Sequence, residues 1–397
     1  MRALTSLRNA WSRIPREVKY IALLFLVTRS ALLILGVLSR TLLAPYCDFP
    51  ARWQFTNHHW LNMWAVWDSG WYLQVAEQWY PQVLEAGKTN YGFFPLYPLL
   101  MRLLGAVIGS KLIAGIIISN VCLIGACVFI FKLVKLSADE DTALRSVKYL
   151  FLFPSAFILS GVFSEPLFLL LAIMCFYYAE KGQWIVCGAM GYLASLTRSN
   201  GVLIALPIAF EYLRSKDFKL RNIRWDVFAL VLIPLGSLTF AVYCYHQTGN
   251  LLAYAYAKKT GWYLVLDNPF KALSVSLKSG SPELVFNAIF SIVVILALSL
   301  FYKKTGFSYW LFGMLWIFLP LAYGIGDASV NRAIGTGAHT LTSMHGMARF
   351  CLDVFPLYIL LAKLSVNDST DRNLTIFLAI LQGGLAVFWA AGIPLVV

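Results

Sequence analysis

Charged side chains are scarce in this sequence, and their scarcity excludes an ordinary soluble protein. Asp, Glu, Lys and Arg make up 13% of the 397 residues, whereas 59% of the residues are hydrophobic. A soluble globular chain carries about 25% charged residues. Apolar stretches of about 18 residues recur along the whole length, and each is long enough to cross a bilayer as a helix. The composition predicts one all-α, polytopic membrane helix bundle over residues 1–397.

Acidic residues are scarcer than basic ones, with 19 Asp and Glu against 32 Lys and Arg, which gives a net charge of +13. The basic residues cluster before the first apolar run and in short connections such as 132–148 and 214–224. This is the pattern of the positive-inside rule, and it argues against a nucleic-acid partner. It predicts an uncleaved signal-anchor helix with a cytoplasmic N-terminus.

The cysteines lack the CxxC and CxxH spacings that are typical of metal sites. They lie mostly inside apolar runs, at positions 47, 122, 127, 175, 187, 244 and 351. In such surroundings a free cysteine behaves as a small apolar side chain. The histidines also show no group of three at metal-ligand spacing. The pattern therefore gives no sign of a metal site or of a disulfide framework.

The apolar periodicity predicts eleven membrane spans, at about 20–38, 112–134, 147–161, 165–180, 184–198, 200–213, 226–245, 284–302, 308–324, 350–364 and 373–391. The charge bias then places the long segments 39–111, 246–283 and 325–349 on the extracytoplasmic face. These segments are rich in Trp, Tyr, Phe and Pro, so we expect ordered and functional loops. Parts of the first loop, about 60–79 and 93–108, are expected to form interfacial helices.

Asp68 lies in the run Trp67-Asp68-Ser69-Gly70-Trp71-Tyr72, just after the first apolar span. A carboxylate among aromatic side chains at a membrane boundary is costly to desolvate, which makes it a functional candidate. One interpretation is a general base, whose basicity the neighbouring aromatic rings would raise. The other interpretation is a helix N-cap for residues 69–79. The local sequence leaves both interpretations open.

The ordered set of motifs resembles the PIG-V-like mannosyltransferases. It begins with the run around Asp68 and with Tyr91-Gly92-Phe93-Phe94-Pro95-Leu96-Tyr97-Pro98. It continues through Phe153-Pro154-Ser155, Ser164-Glu165-Pro166, Thr197-Arg198-Ser199-Asn200-Gly201, His246-Gln247-Thr248-Gly249 and Met347-Ala348-Arg349-Phe350. These are GT-C-type multispan glycosyltransferases, which include the second mannosyltransferase of GPI-anchor synthesis and bacterial relatives. The resemblance covers nearly the whole chain.

The resemblance implies a sugar donor linked to polyprenyl phosphate, inversion at the anomeric carbon, and Asp68 as the catalytic base. It also implies a glycan or glycolipid acceptor that the sequence does not identify. The first loop lacks the Asp-x-Asp or Glu-x-Asp pair of metal-dependent GT-C enzymes, so we expect no metal or other cofactor. The compact loops favour a bacterial cytoplasmic membrane over the endoplasmic reticulum.

The remaining candidates for substrate binding share the predicted outer face with Asp68. Each of them also has an interpretation as a purely structural residue. Glu165 is either an exposed turn or capping acid or a ligand for a substrate hydroxyl. Arg198 is either a snorkelling side chain, a cation for the donor's phosphate, or the partner of Glu165 or Asp68 in an ion pair. Arg349 is favoured over Arg198 as the phosphate ligand. The other candidates are Trp67, Trp71, Tyr72, Phe94, Tyr97, Ser164, Asn200, His246 and Gln247.

We therefore predict an integral membrane mannosyltransferase that acts outside the cytoplasm. Alternatives from other classes are a lipid or sugar transporter and a non-catalytic scaffold. A transporter is expected to show internal repeats and ionisable groups near the bilayer midplane. Here no repeat is visible, and the ionisable candidates gather on one face. A scaffold would tolerate replacement of Asp68 or Arg349.

Overall fold

The computed structural model describes residues 14–43, 53–84, 87, 89–262, 264–325, 346–393 and 395. Within these ranges the chain is nearly all helical, which confirms the predicted fold class. The α-helices are α1 (Arg16–Leu43), α2 (His59–Asn62), α3 (Ser69–Gln78), α4 (Leu96–Ile108), α5 (Lys111–Lys135), α6 (Glu140–Leu152), α7 (Glu165–Glu180), α8 (Trp184–Thr197), α9 (Ala205–Ser215), α10 (Leu232–Thr248), α11 (Ala253–Gly261), α12 (Pro269–Lys278), α13 (Pro282–Leu300), α14 (Tyr302–Thr305), α15 (Phe307–Leu321), α16 (Met347–Leu352), α17 (Pro356–Leu364) and α18 (Asp368–Ala390).

A short antiparallel ribbon is the exception to the helical pattern in the described part of the chain. Strand β1 (Leu264–Leu266) pairs with β2 (Tyr323–Ile325), with Val265 opposite Gly324. The ribbon ties the segment after α11 to the end of α15. It lies beside the candidate site, because Leu264 and Tyr323 both line the cavity described below.

Five helical segments are long and apolar enough to cross a membrane: Arg16–Leu43, Lys111–Lys135, Trp225–Thr248, Pro282–Leu300 and Asp368–Ala390. The prediction of eleven spans is therefore not confirmed as a count. Shorter apolar helices occupy several of the other predicted positions, among them Trp184–Thr197 and Phe307–Leu321. Helices α3 and α4 lie where interfacial helices were expected in the first loop. Of the predicted loop 325–349, residues 326–345 are outside the described ranges.

Two predicted spans are broken at proline. The span at 147–161 divides into α6, which ends at Leu152, and a 3-10 turn at Ala156–Ser160. The span at 350–364 divides into α16 and α17, with Pro356 as the first residue of α17. Proline disfavours helical backbone in the residue before it, so a helix tends to end there. Asp353 lies in the second break, between the end of α16 and the start of α17.

Helix α7 forms the centre of the bundle and carries Glu165 at its N-terminus. Its apolar side chains are buried on nearly every face, as expected for a helix surrounded by other helices. It packs mainly against α5 and α8, and Phe168 stacks on Trp316 of α15 with ring centroids 4.2 Å apart. Glu165 is fully buried as a result.

The described cysteines are buried and free, as the sequence predicts; they are Cys122, Cys127, Cys175, Cys187, Cys244 and Cys351. Cys47 lies outside the described residues. These thiols occupy helix interfaces as small apolar side chains.

Close contact between α8 and α10 depends on glycine. A Cβ at Gly236 would overlap the carbonyl oxygen of Tyr192 and lie 2.8 Å from the Cβ of Ser195. Small residues allow helix backbones to approach within membranes, where van der Waals packing is a main source of association. In contrast, Gly384 of α18 has no heavy atom within 4 Å of an added Cβ.

The Gly236→Ala variant is expected to lose about 1–3 kcal/mol of stability, because the added methyl overpacks a backbone contact. Gly384→Ala is the matched control, and it should unfold at or above the wild-type temperature because alanine favours helix. Thermal unfolding of both variants in the same detergent measures the difference. Equal unfolding temperatures for the two variants would contradict this account of the α8–α10 contact.

Candidate active site

A cavity of about 390 Å³ opens where the first loop meets the ends of several helices. A volume of several hundred Å³ is typical of a small-molecule site. Ten of its lining residues come from the first loop and from the stretch that runs from α11 to the start of β1: Trp67, Asp68, Tyr72, Gly92, Phe93, Phe94, Tyr254, Lys258, Trp262 and Leu264. The others are Ser164, Thr197, Arg198, Ser199, Asn200, Pro320, Tyr323, Gly346, Arg349 and Phe350. Aromatic rings and charged side chains are mixed in the lining, and Lys258 lies among three of the rings.

Asp68 occupies the N-cap position of α3, but its carboxylate does not cap the helix. Instead its Oδ2 accepts a hydrogen bond from Nη1 of Arg349 at 2.6 Å. Trp67, the residue before it, has a φ of 58° and packs on Trp53 with ring centroids 4.7 Å apart. Positive φ is strained for a bulky residue, and such strain often occurs at functional sites. The backbone thus directs Asp68 towards the cavity.

Glu165 bridges the two guanidinium groups of the site. Its carboxylate pairs with Nη1 of Arg198 at 2.6 Å and accepts a hydrogen bond from Nε of Arg349. The interpretation of Glu165 as an exposed turn acid is therefore wrong, because α7 begins inside the bundle. Arg198 does not snorkel to the surface: it is held by Glu165, which confirms one of the predicted ion pairs.

Asp353 adds a third carboxylate next to this pair. It lies 3.6 Å from Nε of Arg198 and is fully buried. Neither of its oxygens accepts a hydrogen bond from a described residue. Three carboxylates thus share two guanidinium groups within the cluster formed by Asp68, Glu165, Arg198, Arg349 and Asp353. Such a cluster is stable only while every charge keeps its partner.

Tyr72 and Ser164 connect the charged cluster to the aromatic wall. The Tyr72 hydroxyl and the Ser164 Oγ lie 2.7 Å apart, and Nη1 of Arg198 donates to the same Oγ at 3.4 Å. Burial raises the pKa of Tyr72. Tyr72 therefore stays a neutral phenol that can donate or accept a hydrogen bond at the cavity wall.

Lys258 faces the same cavity from α11. Its Nζ lies 5.1 Å from the centre of the Trp262 ring, 5.9 Å from that of Tyr254 and 6.0 Å from that of Phe93. Burial lowers the pKa of Lys258 to about 8, although the nearby Asp68 opposes that shift. No carboxylate of the described residues lies within ion-pairing distance of it. Lys258 is therefore a cation available to an anionic ligand.

The structure brings together most of the residues that the sequence singles out. Asp68, Trp67, Tyr72, Phe94, Ser164, Arg198, Asn200 and Arg349 all line the cavity. Glu165 lies behind the wall and acts on the two arginines. Trp71 stands outside the wall, where it stacks on Phe93 with ring centroids 5.8 Å apart.

Three predicted residues do not reach the cavity. Tyr97 is fully buried in the bundle, and its hydroxyl lies 2.9 Å from the Ser119 Oγ. His246 is exposed in the last turn of α10, and Gln247 follows it there. These residues match the family motifs in their spacing along the chain. Their side chains, however, lie on helix faces that do not border the cavity.

Sequence reasoning missed Asp353 and gave too little weight to Lys258. Asp353 is an ionisable residue inside an apolar stretch, which is a signal for function in a membrane protein. Lys258 lies in an aromatic-rich segment, and the sequence alone does not decide between a ligand for lipid phosphate and part of a solvated face. Among the residues with described positions, no three His, Cys, Asp or Glu side chains come close enough to hold a metal ion. Metal independence stays a prediction.

The family model for Mannosyltransferase (PIG-V) matches residues 16–256, which is more than half of the chain. The chain belongs to the PIG-V mannosyltransferase family. Asp68, Glu165 and Arg198 lie inside the match, whereas Lys258, Arg349 and Asp353 lie beyond it. Membership confirms the resemblance carried by the sequence motifs and identifies a class of membrane glycosyltransferases.

A GPI mannosyltransferase 2 from Yarrowia lipolytica is 26% identical over 200 residues, which is 49% of this PIG-V family member. The match spans 51% of that curated relative, about half of its length. Two crystal structures of an Archaeoglobus fulgidus oligosaccharyltransferase are also similar. The one with Zn and sulfate has a TM-score of 0.41 and 14% identity, covering 91% of this chain and 53% of that one. The one tethered to an acceptor peptide has a TM-score of 0.45 and 12% identity, covering 97% and 56%.

Replacing Glu165 by Gln should destabilise the protein strongly, because both arginines would lose their shared counter-charge inside the bundle. Removing one partner from a buried ion cluster costs about 3–5 kcal/mol. The control is Glu140→Gln, which breaks an exposed pair with Arg16 at 3.3 Å and should change little. Thermal unfolding in detergent compares the variants, and an unchanged Glu165→Gln midpoint would contradict the bridging role.

Proposed function

We propose that this protein transfers mannose from a polyprenyl-phosphate donor to an acceptor hydroxyl, with inversion, and that Asp68 is the general base. The observation that carries the proposal is the carboxylate of Asp68 in a cavity that also holds the cations Arg349 and Lys258. Family membership supports the sugar and the lipid-linked donor. The acceptor would be a glycan or glycolipid.

In the proposed reaction Asp68 takes the proton of the acceptor hydroxyl as its oxygen attacks the anomeric carbon. The new glycosidic bond forms while the bond from that carbon to the phosphate oxygen breaks, and the electron pair leaves with polyprenyl phosphate. A single displacement of this kind inverts the anomeric configuration. A positioned general base contributes about 10²–10⁴-fold to a rate.

The pairing of Asp68 with Arg349 is consistent with this role. Arg349 engages only Oδ2 of Asp68, and Oδ1 accepts no hydrogen bond from the described residues. The side chain of Asp68 is 32% exposed, so an acceptor can reach it. The arginine thus orients the carboxylate and leaves one oxygen for the proton.

The phosphate of the donor needs cations that line the cavity and keep an N–H for it. Arg198 lines the cavity, but its Nη1 is held by Glu165 and also donates to Ser164. Arg349 has one nitrogen, Nη2, without a hydrogen bond to any residue described, and Lys258 has no carboxylate partner in the same ranges. We therefore assign the phosphate to Arg349 and Lys258 together. Fixed cations at the site of developing charge stabilise the transition state.

The aromatic wall gives the sugar a site to which the access of water is restricted. Trp67, Phe93 and Trp262 border the cavity, and the apolar face of a pyranose ring packs against such rings. Water would otherwise compete with the acceptor for the activated sugar. We propose that the reaction needs no metal and no other cofactor.

The proposed location is a bacterial cytoplasmic membrane, with the N-terminus inside and the active site on the outer face. The charge asymmetry of the short connections supports this orientation. The apolar helices and the family support an integral membrane protein in either compartment.

The Asp68→Asn variant is expected to insert, fold and bind donor, but to lose transfer by about 10²–10⁴-fold. The asparagine cannot accept the proton, whereas Arg349 keeps Glu165 as a partner. Asp267→Asn is the control, because it removes a charge from an exposed pair with Lys271 at 2.8 Å. Release of polyprenyl phosphate by the purified proteins measures the effect. Normal transfer by Asp68→Asn would contradict the assignment.

The pH dependence of donor use should report Lys258. Its pKa is lowered to about 8, so it is charged below that pH and neutral above it. Consequently kcat/KM for the donor should fall as the pH rises through about 8, since this ratio reports groups of the free enzyme.

Lys258→Arg should flatten that profile, because arginine stays charged across the whole range. Lys259→Ala, which changes the exposed neighbour, should keep the wild-type profile. The same fall above pH 8 in Lys258→Arg would assign the titration to another group and remove Lys258 from the proposed phosphate site.

A further inference from the structure

A second cleft, of about 240 Å³, lies along α3 and the segments that follow it. Its lining consists of Trp71, Gln74, Gln78, Trp79, Pro81, Thr89 and Asn90. Trp71, Gln74 and Gln78 follow each other at helical spacing and therefore share one face of α3. The proposed reaction uses none of these residues. The question is which ligand such a lining would recognise.

None of the residues that line the cleft is charged. The amides of Gln74, Gln78 and Asn90 each offer donors and an acceptor, and the hydroxyl of Thr89 offers both. A phosphate or carboxylate would find no cation in this lining, in contrast to the first cavity with its arginines and Lys258. Arg102 lies over the ring of Trp79, 6.0 Å from its centroid, but does not line the cleft. The chemistry selects a neutral ligand with many hydroxyl groups.

Two polar atoms of the cleft have no partner. Oδ1 of Asn90 and Oγ1 of Thr89 are buried and make no hydrogen bond to any residue with a described position. Asn90 is only 6% exposed. A buried polar atom without a partner costs free energy, so native structures rarely keep one unless a water or a ligand completes it.

The two tryptophans supply flat apolar surface for the same ligand. Trp79 is held in place with a φ of 67°, and its carbonyl accepts a hydrogen bond from Nδ2 of Asn90 at 2.9 Å. Its ring packs edge-on against Tyr243 at 6.2 Å between centroids. The cleft is thus formed before a ligand arrives, which reduces the entropic cost of binding. Indole rings beside amide groups suit a pyranose, which has an apolar face and an equatorial rim of hydroxyls.

The cleft is connected to the reaction site through one side chain. Trp71 lines the cleft and also stacks on Phe93 and contacts Trp262, with ring centroids 5.7 Å apart in the second case. Phe93 and Trp262 both line the first cavity. Asp68 lies one helical turn before Trp71 on the same helix. A chain of sugars in the cleft would therefore point towards Asp68, with about 15 Å of helix from Asp68 to Gln78.

We propose that this cleft is the acceptor subsite and binds a neutral sugar residue of the acceptor glycan, next to the residue whose hydroxyl reacts. The assignment of the bound glycan as the acceptor rests on the proposed function. The recognition of a neutral glycan by the cleft does not depend on that function. The charged cavity then takes the phosphate-linked donor, and the uncharged cleft takes the acceptor. Trp71 lies between the two sites, and the reacting sugar of the acceptor would extend past it to Asp68.

The test measures binding directly and does not need a known acceptor. Saturation-transfer difference NMR on the full-length protein in nanodiscs would use methyl α-mannoside, methyl α-glucoside, methyl β-galactoside and an α-linked mannobiose as probes. The Gln74→Ala/Gln78→Ala double variant removes two exposed amides from the cleft, so it should fold normally. Glu77→Ala, on the same helix but outside the lining, is the matched control.

We expect at least one probe to bind the wild type and Glu77→Ala with equal affinity. The affinity of the double variant for that probe should be lower by about tenfold or more. Inorganic phosphate should leave that binding unchanged. Equal binding by the double variant, displacement by phosphate, or no binding of any probe would overturn the proposal.

A parallel assay of donor turnover without acceptor separates the two proposals. Polyprenyl-phosphate mannose should be hydrolysed by the double variant at the wild-type rate, because its changes are remote from Asp68. Glycoside binding that depends on Gln74 and Gln78, without donor turnover by the wild type, would retain a glycan site and reject the transferase. Donor turnover without such binding would reject the cleft alone.

Discussion

The bridge formed by Glu165 between Arg198 and Arg349 determines the arrangement of the candidate site. Glu165 begins a helix that is buried on nearly every side, so its charge has no access to water. Two arginines from distant parts of the chain therefore have to converge on it. Because Arg349 also pairs with Asp68, Glu165 positions the proposed base through Arg349, although Glu165 itself does not line the cavity.

A division between charged and neutral recognition follows from the same bridge. The arginines and Lys258 give the first cavity its cations, and the aromatic rings of the first loop separate that cavity from a cleft without charge. A phosphate-linked donor would thus lie in the cavity and a neutral glycan in the cleft, on either side of Trp71 near the start of α3. The arrangement explains why the first loop carries both the carboxylate and so many tryptophans.

Much of this was accessible from the sequence. The scarcity of charge and the apolar runs predict a helical membrane protein, and the ordered motifs around Asp68, Glu165, Arg198 and Arg349 indicate the family. The number of membrane spans could not be predicted from the sequence. Proline divides some of the apolar runs, and helices buried in the bundle can be shorter than a membrane span. Tyr97 and His246 were misplaced because a motif gives spacing along the chain, whereas helical direction decides which side chains face a cavity.

The pairing within the cluster also required coordinates. Local sequence left Asp68 equally suited to capping α3 or to catalysis, and only the contact with Arg349 shows where its carboxylate points. Asp353 follows the end of α16 and belongs to the cluster because it lies 3.6 Å from Arg198, a contact between distant parts of the chain that the sequence does not show. The cleft consists of uncharged residues, none of which indicates a binding site in the sequence. They form a site only because the fold places them together along α3.

The central claim is single displacement of a polyprenyl-phosphate sugar from the cavity that holds Asp68. The most direct test is the anomeric configuration of the first mannose released from polyprenyl-phosphate mannose by the wild-type protein, recorded by proton NMR before mutarotation. The account predicts release with the configuration opposite to that of the donor. Release with retained configuration, or no release from this donor, would contradict it.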